Sequence, residues 1–285
     1  MRFLKYFPMS MVQENFSVDK VRKHYDNISW LYKFFWGSHI HHGYWEKDES
    51  PQEAQENLIK KLVKEAGLKG KETVLDVGCG LGGSSRWLAR NLECLVTGIT
   101  LSPKQIKIAT ELTKKENLNS QVQFQLMDAH HLSFPAESYD VVWVVECSEH
   151  LLDKNKFIQE VSRILRPGGK LALCGWMDSS ESREQKNLVK EICERMILPS
   201  IGRMEDYSGW MKEAGLEVIM TQDLTSQVSR TWDICTEISR SWKVKTLLNF
   251  LDQDARRFVE SFPMMKEAYQ THSMSYGLFI AIKNS

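Results

Sequence analysis

The chain lacks the cysteine pairing that marks disulfide scaffolds and zinc sites. Its six cysteines, Cys79, Cys94, Cys147, Cys174, Cys193 and Cys235, form no CxxC pair and fall mostly in apolar runs. They read as reduced, buried thiols, which points to a cytoplasmic, cytosol-like setting. No apolar run is long enough to span a bilayer, and the opening MRFLKYFPMSMVQENF has too short an apolar stretch for a secretory signal. Neither sign of charge dominates. Lys+Arg and Asp+Glu stand at 37 each, so no global field recruits nucleic acid or an anionic membrane, although a local basic patch is compatible with that balance. Repeats and low-complexity segments are absent too.

What is present suits one large α/β domain. The 285 residues are 42% hydrophobic and 26% charged, and no linker divides them. Val21 to Trp36 is aromatic-rich with a helical pattern and leads into a His/Gly/aromatic loop, Gly37 to Trp45. Pro51 opens an amphipathic helix carrying Leu58, Leu62 and Val63 at helical spacing. From Thr73 onward, short apolar runs alternate with helical stretches: TVLDV, LVTGI, VQFQLM, YDVVWVV and KLALCGW. Such alternation predicts a doubly wound, mostly parallel sheet with helices on both faces. Further on, helices are expected over Glu184 to Leu198, Glu205 to Ala214, Trp232 to Leu251 and Ala255 to Tyr269. The runs LEVIMTQ and SYGLFIAIK are expected to add two strands at the sheet edge, giving seven, with the helices between them as a cap. This divides the domain into an entry segment (1–70), a core (71–180) and a cap with the last strands (181–285).

The sharpest motif is VLDVGCGLGG, Val74 to Gly83, where an apolar strand runs into a glycine-rich turn and then a helix. Glycine lets the backbone turn tightly and approach a ligand over the carboxyl end of the strand. Gly78, Gly80 and Gly83 formally satisfy the dinucleotide pattern GxGxxG. Two features argue against NAD. Asp76, two residues before the first glycine, could take the ammonium of an amino-acid-like ligand. The end of the second strand, Gly98 to Pro103, has no acid to grip a ribose.

VLDVGCGLGG, VTGITLSPKQ, QLMDAHHLSFP, SYDVVWVVECSEHLLD and ILRPGGKLAL occur in that order between Thr73 and Trp176. This succession resembles the class I S-adenosylmethionine-dependent methyltransferases, with their Rossmann-like fold. ITLSPKQ, FFWGSHIHHGYW and ECSEHLLDKNKF are similar to the narrower group of tocopherol and sterol C-methyltransferases and related natural-product and methylamine-forming enzymes. The resemblance implies that Asp76, Gly78 and Gly80 hold the methionine end of the cofactor. It places Thr100, Leu101 and Gln105 near the ribose, Asp128 and Ala129 at the adenine, and Tyr25 as a lid over the cofactor. The product would be S-adenosylhomocysteine.

Methyl transfer needs alignment and, for some acceptors, a base. Glu146, Glu149 and His150 follow the buried fourth strand, where the acceptor should enter. The resemblance implies a glutamate at Glu146 that stabilises a cation or removes a proton and also borders the cofactor. Glu146 ranks first, His150 second and Glu149 third, against the alternative that they satisfy loop backbone groups. A carboxylate just after a buried strand is also expected to have a raised pKa. His39, His41 and His42 suggest a metal site, but no carboxylate or cysteine stands at ligand spacing, so no metal is expected. Tyr25, Trp30, Tyr32 and Trp36 serve either as lid or as helix packing. Trp176, Trp210 and Trp232 serve either as cavity walls or as core. ECSE is not the [DNS]-P-P-[YFW] segment of amino-methylating DNA enzymes, so a small molecule is the expected partner, in an oligomer or a monomer.

Three functions remain open on sequence alone. One is C-methylation of an apolar, electron-rich acceptor such as a prenylated ring, sterol or isoprenoid. Another is N-methylation of a small amine of the sarcosine/dimethylglycine type, which an aromatic cage would favour, and the chain has 9 Trp and 8 Tyr. The third is a scaffold that binds S-adenosylmethionine without catalysis.

Overall fold

Continuous apolar runs become strands here because helices shield both faces of the sheet they build. The computed structural model describes Ser17, residues 19–23, Asp26, Gly37 and residues 39–284. In chain order the strands are Thr73–Val77 (β1), Leu95–Thr100 (β2), Val122–Leu126 (β3), Tyr139–Val145 (β4), Leu165–Asp178 (β5), Leu216–Asp223 (β6) and Met274–Lys283 (β7). Among the described residues they form one sheet in the order β3-β2-β1-β4-β5-β7-β6. All neighbours are parallel except β7, which runs antiparallel to both β5 and β6. The strand order reverses at β1, so the crevice over the carboxyl ends of β1, β2 and β4 is where this topology leaves room for a ligand.

The helices are Pro51–Ala66 (α1), Gly83–Leu92 (α2), Pro103–Lys115 (α3), Lys154–Ile164 (α4), Arg183–Arg195 (α5), Met204–Glu213 (α6), Thr225–Val228 (α7), Arg230–Arg240 (α8), Trp242–Leu248 (α9), Gln253–Glu260 (α10) and Phe262–Gln270 (α11). Their starts are written in side chains. Ser50 and Glu53 form a capping box ahead of Pro51. Ser102 accepts from Gln105 N ahead of Pro103. Each such cap contributes about 1 kcal/mol.

One sheet face packs with α1, α2, α5, α8, α10 and α11, joining Leu58, Leu62, Trp87, Trp143, Ile192, Trp232, Phe258 and Phe262 in one apolar cluster. The other packs with α4 and α6 through Phe157, Val161, Tyr207 and Met211. The expected cap is therefore part of the core of one face. From it Trp232 and Tyr269 pack on the ring of His42.

Several boundaries differ from the sequence reading. The helix expected over Glu184 to Leu198 ends at Arg195, and Ile197 turns left-handed at φ 56°. Trp232 to Leu251 is two helices, broken where Ser241 leaves the helical region (ψ 146°) and caps α9 through Val244 N. Ala255 to Tyr269 is likewise two, split at Ser261 just before Pro263, which sits in the first turn of α11. A proline has no N–H to continue a helix, so a new start at that point relieves the clash. KLALCGW is the inner part of a longer β5 that begins at Leu165. The turn Ser148–His150 is a 3₁₀ helix, which no periodicity in the sequence announces. Most of the helix expected over Val21 to Trp36, with Tyr25, Trp30, Tyr32 and Trp36, lies outside the described residues. Residues 19–23 are helical.

Candidate functional site

The glycine turn after β1 works because of what lies against it. Gly78 has φ 73°, and a Cβ there would sit 2.3 Å from Cys147 Sγ, so any other residue would be strained and obstructed at once. The N–H groups of Gly78 and Cys79 both donate to Ile99 O, binding the turn to the end of β2. Above this turn opens a cavity of about 770 Å³, its mouth included.

The cavity collects nine of the sequence-predicted residues. Gly78 and Gly80 form its floor, and Thr100, Leu101 and Gln105 line the β2 side. Asp128 and Ala129 stand after β3, and Glu146 and His150 after β4. Ile40, His130, Cys147, Leu151 and Val21 are also among its walls. Sequence reasoning missed His130, although it sits within the quoted QLMDAHHLSFP. Thr100 Oγ1 donates to Gln105 Oε1 at 2.6 Å, so the group Gln105 has left to offer is its NH₂ donor. Asp128 Oδ1 accepts from His130 N and meets His130 Nδ1 at 2.8 Å, which leaves Oδ2 for an amine. The His130 bonds hold the Asp128 carboxyl below its ordinary value, against the opposing effect of burial. Asp153 N donates to His130 Nε2. With the proton on Nδ1, His130 satisfies both of its contacts. The entry segment also reaches this side, where Ser102 Oγ donates to Asp26 Oδ1.

Two predicted residues stand elsewhere. Asp76, expected at the methionine end, borders a smaller neighbouring cavity shared with His39, His41 and Ser84. Its carboxylate accepts from Ser85 Oγ, and burial raises its pKa to about 6 despite that bond. Glu149 does not line the cavity. It turns inward, where Oε1 accepts from Trp176 N at 2.6 Å and Oε2 meets no partner among the described residues. Burial, and secondarily the Glu146 charge, push its pKa up to about 8. The close approach is possible because residue 175 is glycine, whose Cβ would lie 2.3 Å from Oε1.

Glu146 takes a left-handed backbone, φ 50°, directly after β4. For a non-glycine residue this costs about 1–2 kcal/mol, a strain found at functional sites. The side chain gains three donors in return. Oε1 accepts from His42 N at 2.7 Å and Tyr276 OH at 2.8 Å, and Oε2 meets His42 Nδ1 at 3.0 Å. Burial alone would raise this carboxyl. The His42 and His41 contributions outweigh it, and the pKa falls below the ordinary 4.5. The raised pKa expected from its position is therefore corrected, and Glu146 stands as an anion at the cavity wall. His42 carries the arrangement onward, with Nε2 3.5 Å from Tyr269 OH and its ring enclosed by Trp176, Trp232, Tyr269 and Tyr276 at centroid distances of 5.0–6.0 Å. An aromatic cage exists, and the protein's own histidine fills it. Trp210 is remote from it, packing on Tyr207.

The turn that carries His150 is braced on both sides of it. Tyr207 OH donates to Ser148 Oγ, and the buried Lys154 donates to Leu151 O and to Ser200 O and Oγ. Among the described residues no group of three or more His, Cys, Asp or Glu side chains is placed to hold a metal ion. No helix there is long and apolar enough to cross a membrane.

Replacing His42 with Phe keeps a ring in the cage and removes the donor to Oε2. Burial should then prevail, moving the Glu146 titration from below its ordinary value to above it. Carbon-13 NMR of labelled glutamate checks this. A titration that stays low would show that His42 does not set the charge.

A methyltransferase domain family matches residues 75–173. The chain is 33% identical over 229 residues to the chloroplastic tocopherol O-methyltransferase of Arabidopsis thaliana, covering 73% of this chain and 66% of that protein. It therefore spans just under two thirds of the length of that relative. It is 32% identical to the 27-O-demethylrifamycin SV methyltransferase of Amycolatopsis mediterranei, covering 74% of this chain and 78% of that protein. The crystal structure of the [4+2]-cyclase SpnF superposes with a TM-score of 0.81 at 24% identity, covering 94% of this chain and 97% of that one. That likeness concerns the fold, and a fold alone does not set the chemistry.

Proposed function

Because the chain belongs to the methyltransferase domain family, we propose that it uses S-adenosylmethionine to methylate a carbon of an apolar, electron-rich small molecule of prenylated-ring, sterol or isoprenoid type. The cavity suits such a cofactor. The glycine floor, the Gln105 donor and the open Asp128 oxygen match an amino acid joined to an adenosine. S-adenosylmethionine supplies an electrophilic methyl group when bound. Gly78 and Gly80 would hold its amino-acid end with Asp76 acting from one step behind. Thr100, Leu101 and Gln105 would hold the ribose, and Asp128 with Ala129 the adenine.

The observation that carries the reading is Glu146, fixed as an anion on the cavity wall by His42 and Tyr276. A preorganised charge of this kind stabilises positive charge developing on an acceptor and needs no rearrangement to do so. With its lone pairs engaged and its pKa low, Glu146 is a poor proton acceptor. His150 on the same wall is the better base for a proton leaving the methylated carbon. The filled aromatic cage and the apolar side chains Ile40 and Leu151 favour an apolar acceptor over a small cationic amine. Tyr25 serves as lid, 1–70 as entry segment, 71–180 as core and 181–285 as the region that shapes acceptor choice. The six free cysteines support a reducing compartment.

Calorimetry should show S-adenosylmethionine and S-adenosylhomocysteine binding and NAD not binding. Labelled methyl should reach the ring carbon of a prenylated hydroquinone and not sarcosine, with the product assigned by NMR. Tight NAD binding, or cofactor binding with no transfer to any acceptor in a metabolite extract, would overturn the proposal.

A further inference from the structure

The helix α9 and the turn after it divide into two unlike faces. Val244 is buried, and Leu247, Leu248 and Leu251 pack on the core cluster at helical spacing. Phe250 N donates to Leu247 O and Leu251 N to Leu248 O, so the winding continues past Leu248. Trp242, Lys245, Thr246, Asn249 and Phe250 therefore share the outward stripe, and all five are exposed. Trp242 is 73% and Phe250 82% exposed, the two highest values among the described exposed large hydrophobics. Single exposed apolar residues are ordinary. Two large aromatics on one stripe, on a helix whose other face is already anchored, mark an interaction surface.

The charges say what it meets. Residues 240–250 hold Arg240, Lys243 and Lys245 and no acid, in a chain that is neutral as a whole. The acids that follow, Asp252 and Asp254, belong to the start of α10, where Asp252 is engaged as a cap on Ala255 N. A second copy docking face to face would set these three cations against themselves, because a two-fold interface repeats the same patch. An anionic lipid surface compensates them and gives the aromatic rings the interfacial layer that amphipathic rings prefer.

We infer that α9 and the turn to Phe250 dock the protein peripherally on an anionic phospholipid surface, with Trp242 and Phe250 in the headgroup layer and Arg240, Lys243 and Lys245 toward the phosphates. The contact needs no spanning segment and does not depend on the chemistry proposed above. The docking face lies next to α8, whose Trp232 packs on His42 beside Glu146.

The test is co-sedimentation of the full chain with vesicles of phosphatidylcholine alone and of phosphatidylcholine with a third replaced by phosphatidylserine. Binding is expected to the second and to weaken with added salt, since each cation near such a surface strengthens binding about fivefold. Trp242→Ala with Phe250→Ala should bind roughly tenfold or more weakly. Lys243→Glu with Lys245→Glu should lose the preference for phosphatidylserine. All four side chains are exposed, so both variants should keep the thermal midpoint of the parent. No sedimentation with either vesicle, or unchanged binding by the aromatic variant, overturns the inference. So does a concentration-dependent dimer, seen by ultracentrifugation, that the aromatic variant abolishes, because a second copy then covers the stripe.

Discussion

Glu146→Gln is expected to bind S-adenosylmethionine normally and to turn over about 10²-fold more slowly or worse, the scale of one preorganised charge in a shielded site. The variant should fold. Its amide oxygen can still accept from His42 N–H and the Tyr276 hydroxyl, and its NH₂ can donate to His42 Nδ1 once the imidazole carries its proton on Nε2. What is lost is the charge, so the loss should appear in kcat with little change in cofactor affinity. The parent should also lose activity on the acid side only below the ordinary glutamate range, because His42 holds the carboxyl ionised further down. Any stability it contributes is present above the ordinary value and lost as pH falls through the lowered one. His150→Asn is the companion measurement. Collapse there beside near-normal turnover in Glu146→Gln would transfer the main role to the imidazole. Normal turnover in both would leave alignment as the whole of catalysis and favour an acceptor that arrives as an unprotonated amine.

Glu149→Gln should stabilise the protein at neutral and alkaline pH by an amount on the order of a few kcal/mol. The sign follows from the direction of the shift. Burial lifts the Glu149 carboxyl from 4.5 to about 8, so the folded protein holds a proton that the unfolded chain has released. The stability contribution is complete below 4.5 and is lost as pH rises to about 8. Glutamine is neutral throughout, and its side-chain oxygen can keep the bond from Trp176 N. Denaturant unfolding at a series of pH values should give two curves that meet near the acid end and diverge toward pH 8. Parallel curves would show that Glu149 ionises as freely in the fold as outside it. Turnover should fall much less than in Glu146→Gln, since Glu149 faces away from the cavity.

The sheet and the glycine turn were legible because their signals are local: apolar runs, a glycine cluster, and an acid-rich segment directly after a buried strand. The nine cavity residues expected from sequence all lie at or shortly after the carboxyl ends of β1 to β4, which the topology must bring together. Orientation was less legible. Glu146 and Glu149 lie three positions apart on one short turn, and the sequence does not say that one faces the cavity and the other the backbone of Trp176. The partners that settle it, His42 and Tyr276, lie 104 and 130 positions from Glu146 and enter from opposite ends of the chain. In the sequence His42 stands out as a possible metal ligand and as part of FFWGSHIHHGYW, and Tyr276 as one letter of an apolar strand. The divided helices are a different case. Ser241 and Pro263 mark the breaks, and the apolar periodicity runs on across both of them.

The place of β7 has a consequence for how the protein is made. Among the described residues β6 pairs with no strand but β7, and the outer edge of β5 waits for the same strand. Synthesis delivers β5 and β6 well before residues 274–283. During that interval a growing chain carries two open strand edges and an unclosed apolar face, the features that invite pairing with a neighbour. Ribosomes translating one message in close file would hold several such chains side by side. The interval is a point in the life of this protein at which a chaperone has something to protect.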